Sequence, residues 1–303
     1  MTLSIEEWAM GDAYRLHTLW KEATSGAPTC YAVDAETFCA GILPDEEDDE
    51  TCATSQSQRL IVATQASEPV GFAHLGAGSV EVNGEALDSG IIRFLAFAPG
   101  SSIAGQALLD HAEHIFRDEG QPRIDAFPIY HGYPFHNHKV GILSDCLVPL
   151  CSLLVENGYH PHDSHLTLER SLESTPLPEP RPDVDIVVEK TIGPGSRPDI
   201  RVWARIEGEA KGNCRTMSGL RYARHDSLDS CGYTRWLGVS ESYRQRGIGR
   251  VLLKRALHEM RLEGYTTTRL NVREKNLPAL ALYASEGYTT EDHSSAYFKD
   301  LGA

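Results

Sequence analysis

The residues most able to do chemistry lie in one stretch, Trp236-Leu237-Gly238-Val239-Ser240-Glu241-Ser242-Tyr243-Arg244-Gln245-Arg246-Gly247-Ile248-Gly249-Arg250-Val251. An apolar strand-like segment runs into a turn carrying two glycines, and a helix pattern begins at once. Successive backbone N–H groups in such a turn can surround a phosphate oxygen, helped by the positive end of the helix dipole. Gly247 and Gly249 allow close approach where a β-carbon would intrude. Arg244, Arg246 and Arg250 add positive charge. The stretch lacks the Gly-x-x-x-x-Gly-Lys-Ser/Thr of a P-loop and does not complete the Gly-x-Gly-x-x-Gly dinucleotide fingerprint. By itself it also describes a tight turn leading into a basic surface helix.

A second stretch, Leu270-Asn271-Val272-Arg273-Glu274-Lys275-Asn276 followed by an apolar helix pattern through Tyr283 to Gly287-Tyr288, lies downstream. Together the two resemble the GNAT superfamily of N-acetyltransferases, whose coenzyme A signature, Arg/Gln-x-x-Gly-x-Gly/Ala, is matched by Arg244, Gly247 and Gly249. The resemblance implies that the backbone of Gln245, Arg246, Gly247, Ile248 and Gly249 binds the pyrophosphate of acetyl-CoA. It implies that Leu237, Gly238 and Val239 present main-chain groups to the pantetheine arm and the thioester carbonyl. Asn276 would contact the cofactor. Tyr283 would sit near the sulfur and protonate or hydrogen-bond the departing thiolate; read without the family, it is an ordinary half-buried helix tyrosine.

The pattern departs from the family at two places. Where the family often has a glutamate general base, this chain has Tyr233, with Glu207, Glu209, Asp226 and Asp229 as nearby alternatives. Between the first two strands expected after residue 185 stands only Gly193-Pro194-Gly195-Ser196-Arg197-Pro198, too short for the family's two helices.

The elements that must position these residues follow from periodicity. A helix over 249–263 has Val251, Leu252, Ala256, Leu257 and Met260 on one side, and strands are expected at 185–191, 199–207, 215–223, 233–239, 268–272 and 295–299, with a helix over 277–286. The first half gives strands at 3–8, 59–64, 70–75, 79–83, 91–98, 123–127 and 165–170, and helices over 12–23, 35–42, 104–119 and 145–157. Alternating prolines at 174–184 predict a semi-rigid spacer. The expected organisation is α+β, two tandem GNAT-like domains at 1–173 and 185–303, each a mixed, mostly antiparallel sheet flanked by helices.

The halves share a local repeat: residues 147–159 lie on 276–288 without a gap, matching proline, apolar helix and Gly-Tyr. The first half is expected to be a worn copy. Its loop at 98–109 is shorter and lacks the arginine and the first glycine, and Leu147 and Leu154 stand where Asn276 and Tyr283 stand in the second half. It is expected to pack beside the second half and form part of the acceptor wall.

Charge is divided unevenly. Residues 1–173 hold 8 Lys+Arg against 26 Asp+Glu, while residues 174–303 hold 20 against 17. An acidic half suits a cationic acceptor and a basic half suits an anionic co-substrate. The acidic run 45–50 reads as a solvated loop. Seven cysteines without a Cys-x-x-Cys pair imply neither a disulfide framework nor a zinc ribbon. His131, His136 and His138, with His160, His162 and His165, form two clusters read as polar loop residues rather than metal ligands. No metal, nucleic acid or membrane partner is expected, and the lack of a signal sequence or long apolar run points to the cytoplasm. The function implied by the resemblance is transfer of acetyl from acetyl-CoA to a small-molecule amine. A peptide or protein amine, or a non-catalytic acyl-CoA sensor, is the alternative.

Overall fold

The computed structural model describes residues 2–42, 56–82 and 85–302. The acidic run 45–50 lies outside the described residues. The order is β1 (Leu3–Trp8), a 3-10 helix (Met10–Leu16), α1 (His17–Ala23), α2 (Ala35–Ile42), β2 (Gln56–Gln65), β3 (Glu68–Val82), β4 (Glu85–Phe97) and α3 (Ser102–Asp118). Next come β5 (Arg123–Ala126), β6 (Leu143–Ser144), α4 (Val148–Glu156), β7 (His160–Ser171), β8 (Asp185–Thr191), β9 (Asp199–Ile206) and β10 (Glu209–Ser218). The last elements are α5 (Asp226–Asp229), β11 (Cys231–Val239), α6 (Ile248–Leu262), β12 (Thr267–Arg273), α7 (Leu277–Ser285) and β13 (Thr289–Asp300). The fold class is α+β.

Two compact units are present: Met1–Ser164 with Asp292–Ala303, and His165–Glu291. In the first, β1-β2-β3-β4 are antiparallel neighbours, β4 and β5 are parallel, and the 297–300 part of β13 runs antiparallel to β5. In the second, β8-β9-β10-β11 are antiparallel, β11 and β12 parallel, and the 165–171 part of β7 antiparallel to β12. The units therefore divide at 164/165 and 291/292, and the proline-rich stretch 174–184 lies inside the second. Backbone pairing decides this: residues 165–171 find their ladder partners in β12, and 297–300 find theirs in β5.

Helices α1 and α2 stand between β1 and β2, whereas β8 reaches β9 through a short connection. The strands expected at 199–207 and 215–223 are instead a hairpin, β9 and β10, turning at Glu207 and Gly208, both with positive φ. The expected helix over 12–23 is a 3-10 helix that hands over to α1.

The first unit's interior holds Trp20, Phe38, Phe72, Phe94, Phe116 and Phe135, all sealed from solvent. The second packs α6 on the sheet through Ile248, Leu252, Leu253, Ala256, Leu257 and Met260, the positions that a 3.6-residue period brings to one face.

The repeat seen in the sequence is a repeat of structure. Helices α4 and α7 each have nine residues and a proline in the first turn. Each ends on a left-handed glycine, Gly158 (φ 81°) or Gly287 (φ 83°), and the next tyrosine N–H returns to Leu154 O or Tyr283 O, a Schellman closure.

A glycine also lies beneath the long helix of each unit. A β-carbon on Gly90 would come 2.5 Å from the Phe116 ring, and one on Gly232 would come 1.9 Å from Met260 Cε. Gly90→Ala should cost about 1–3 kcal/mol by overpacking against a rigid ring. Gly232→Ala should cost less despite the closer approach, because a thioether end can swing away. Denaturant unfolding of the two variants checks this order, and the reverse order would show that Met260 is locked.

Candidate functional site

Strands β11 and β12 pair only over Cys231–Tyr233 and Thr267–Arg269. Beyond that point they part, so among the described residues the edge of β11 facing away from β10 has no strand partner over residues 234–239. The separation begins at a β-bulge: Thr216 faces Thr234 while Arg215 faces Trp236, which leaves Arg235 as the extra residue. Leu237 and Val239 turn their side chains toward the core of the second unit, and Gly238 lies opposite Asn213. Main-chain N–H and C=O groups along this edge are thus open to an extended amide-bearing ligand, except that Arg244 Nε donates to Val239 O at 3.1 Å.

The turn that follows has two left-handed residues, Gln245 (φ 60°) and Gly247 (φ 78°), before α6 begins at Ile248. Arg244 N–H closes on Glu241 O, and Val251 N–H on Gly247 O. Between them, the N–H groups of residues 245–249 have no protein acceptor among the described residues. Five such donors stand at the start of a 15-residue helix. Gln245, Arg246 and Gly247 are exposed, Gly249 is half-buried, and Ile248 is buried as an anchor in the core. This arrangement fits a pyrophosphate, which needs several donors and a positive field and no proton exchange.

The arginines take different stations. Arg246 lies over the Tyr243 ring at 5.1 Å, which Lys211 also faces at 5.2 Å. Arg250 reaches Ser285 Oγ at 3.0 Å and Glu286 at 3.4 Å, tying α6 to the end of α7. Arg181, from the proline-rich stretch, donates to Arg246 O at 2.5 Å. Sequence reasoning missed Arg181, because nothing in a proline spacer indicates a partner 65 positions downstream.

Helix α7 completes the site. A β-carbon on Gly249 would touch Val239 Cγ2 at 3.8 Å and Leu282 Cδ2 at 4.0 Å, so the strand end, the α6 start and α7 meet at this glycine. The next residue, Tyr283, is only 8% exposed, and its ring meets Tyr288 edge-on at 5.5 Å. Burial, with smaller contributions from Cys214 and Tyr233, pushes the Tyr283 phenol well above its ordinary range. Its hydroxyl has no hydrogen-bond partner among the described residues. Asn276 caps α7, accepting from Ala279 N–H at 3.3 Å, and stays exposed with its amide NH₂ available. In the first unit Leu147 holds the equivalent place with no side-chain cap, and the fully apolar Leu154 replaces Tyr283.

The carboxylates weighed as a base lie at the two ends of β11. Glu207 and Glu209 belong to the β9–β10 turn, with Glu209 on Lys211, while Asp226 and Asp229 precede the strand, Asp229 on Arg197 at 2.9 Å. Tyr233 is buried and takes a hydrogen bond from Asn271 Nδ2 at 3.2 Å.

Of the histidines read as polar loop residues, those of the first cluster are buried. His131, His136 and His138 are all buried, and burial pushes His131 and His136 down to about 4, with Arg93 adding to the effect at His131. Among the described residues no three metal-ligand side chains converge.

A strand pair that splays, a glycine turn with orphan amides at a helix start, and a neighbouring helix carrying a buried phenol make up the candidate site. The Acetyltransferase (GNAT) family model matches residues 172–288. The mycothiol acetyltransferase of Thermomonospora curvata is 30% identical over 173 residues, covering 47% of this chain and 57% of that protein. A ribosomal protein bS18-alanine N-acetyltransferase of Salmonella typhimurium is 38% identical over 52 residues, covering 17% of this chain and 35% of that protein. The chain thus spans a little over half the length of the first of these relatives. In fold, it is similar to a tandem GNAT protein from the clavulanic acid biosynthesis pathway, at TM-score 0.70 and 14% identity, with 100% of this chain and 99% of that chain covered. Among the described residues no helix is long and apolar enough to cross a membrane.

Proposed function

We propose that this chain is an N-acetyltransferase that moves the acetyl group of acetyl-CoA to the amine of a small molecule by direct attack in a ternary complex. The observation that carries this reading is the set of orphan N–H groups at 245–249 beside the buried phenol of Tyr283. The turn amides and the α6 dipole hold the pyrophosphate, and the open edge of β11 binds the pantetheine amides and polarises the thioester carbonyl. Asn276 offers its amide NH₂ to the co-substrate. Holding both reactants in one cleft supplies the approach geometry. Tyr283 gives its proton, or a hydrogen bond, to the departing thiolate.

A small-molecule acceptor is preferred because the relative with the longer match is named for mycothiol. The match to the enzyme named for a ribosomal-protein alanine is confined to 52 residues. Calorimetric titration with acetyl-CoA tests the reading: one site per chain is expected in the wild type, with no measurable binding in Gly247→Trp. Two sites would give the first unit a ligand of its own, and no binding to the wild type would end the acetyltransferase reading.

A further inference from the structure

The proline-rich stretch, expected as a spacer, is bound to the second unit at several points. Leu172 and Val184 are buried in its core cluster. Thr175 Oγ1 donates to Leu172 O at 3.0 Å, and Thr175 O meets His258 Nδ1 of α6 at 3.1 Å. A turn closed by Val184 N–H on Arg181 O then places the Arg181 side chain against the glycine turn. Its Nη1 holds Arg246 O and stands 3.5 Å from where a β-carbon of Gly247 would be. Its Nε and Nη2 are held by the two carboxylate oxygens of Asp183. Arg181 therefore has two fixed partners, one on each side of its guanidinium.

The consequence follows from peptide geometry. Across a trans peptide the C=O and the following N–H point in opposite directions. Holding Arg246 O toward Arg181 thus aims the Gly247 N–H away from it. A turn with left-handed residues at both 245 and 247 has no repetitive hydrogen bonding of its own to fix that peptide. We propose that Arg181 is the positioning residue that sets the pyrophosphate turn in its anion-binding form, with Asp183 aligning it. This rests on the acetyl-CoA reading of the same turn. The proline-rich stretch is then a brace for the co-substrate site. Two prolines flank Arg181, at 180 and 182, and restrict the backbone that delivers it.

The test compares equilibrium binding of acetyl-CoA with that of acetyl-pantetheine, which lacks the pyrophosphate, in wild type, Arg181→Ala, Arg181→Lys and Asp183→Asn. Arg181→Ala should weaken acetyl-CoA about tenfold or more, the loss expected for a charge-assisted hydrogen bond, and leave acetyl-pantetheine within about twofold. Arg181→Lys keeps one donor for Arg246 O and should recover part of the affinity. Asp183→Asn, which spares the fold if Arg181→Ala does not, should show a smaller loss confined to acetyl-CoA. Undiminished acetyl-CoA binding in Arg181→Ala, or equal losses for both ligands, would overturn the proposal. Wild-type protein that binds no acetyl-CoA would overturn the functional reading first, and this inference with it.

Discussion

Replacing Tyr283 by phenylalanine is expected to lower turnover about a hundredfold, the lower end for loss of a positioned general acid, while acetyl-CoA binds within about twofold of wild type. The ring fills a core site against Tyr288 and stays in the variant, so only the hydroxyl changes. The direction of the pKa shift makes a second expectation. A phenol raised by burial above its ordinary value of about 10 keeps its proton through the working range. The acid form is therefore not lost as pH rises, and kcat/KM should climb as the acceptor amine becomes neutral and then stay level to about pH 10. A pH–rate profile on both proteins reads this. Turnover unchanged in Tyr283→Phe would remove Tyr283 from the chemistry and favour a binding module. A fall above about pH 9 that vanished in the variant would show a phenol titrating in its ordinary range.

The same residues show what a sequence can and cannot disclose. The glycine turn, the apolar face of α6 and the α7 pattern depend on short-range order, and each was readable from spacing alone. The hairpin at Glu207-Gly208 was not, because Glu-Gly is a weaker turn signal than Asn-Gly or Asp-Gly. Nor was the station of Arg181, a contact between residues 65 apart that follows from how 172–184 docks on α6. Division of the chain into units was hidden for a related reason. Strands β7 and β13 read as ordinary closing strands, and no local feature marks which ladder their backbones join. The burial of His131, His136 and His138 was not legible either, because His-x-His near Gly and Pro has loop composition; His136 is enclosed by aromatic neighbours, Phe94 and Phe127, packed edge-on against it.

In the first unit, Asp125→Ala is expected to lower stability by about 3–5 kcal/mol, the usual effect of breaking one side of a buried ion pair. Asp125 is fully buried on β5 and accepts from both Arg123 Nε and Nη2 at 2.7 Å and from Ser89 Oγ at 2.7 Å, with His162 Nε2 at 3.3 Å. Arg123 in turn lies over the Phe298 ring at 4.1 Å, and Phe298 is the register partner of Asp125. One carboxylate thus joins β4, β5, the start of β7 and the final strand of the chain. Burial alone would raise its pKa, but the nearby His162 and the bonds from Arg123 and Ser89 outweigh burial and hold it below the usual carboxylate value. A depressed carboxylate stabilises the fold above the unfolded value of about 3.9 and loses that contribution as pH falls through the folded-state value. Asp125→Asn should therefore be clearly less stable than wild type at pH 7, with the gap narrowing below about pH 4. At roughly 2–4 °C per kcal/mol for a unit of this size, Asp125→Ala should lower the Tm by about 10 °C. A Tm within about 2 °C of wild type would mean that Arg123 and Ser89 find other partners, and that the closing strand is held by its ladder alone.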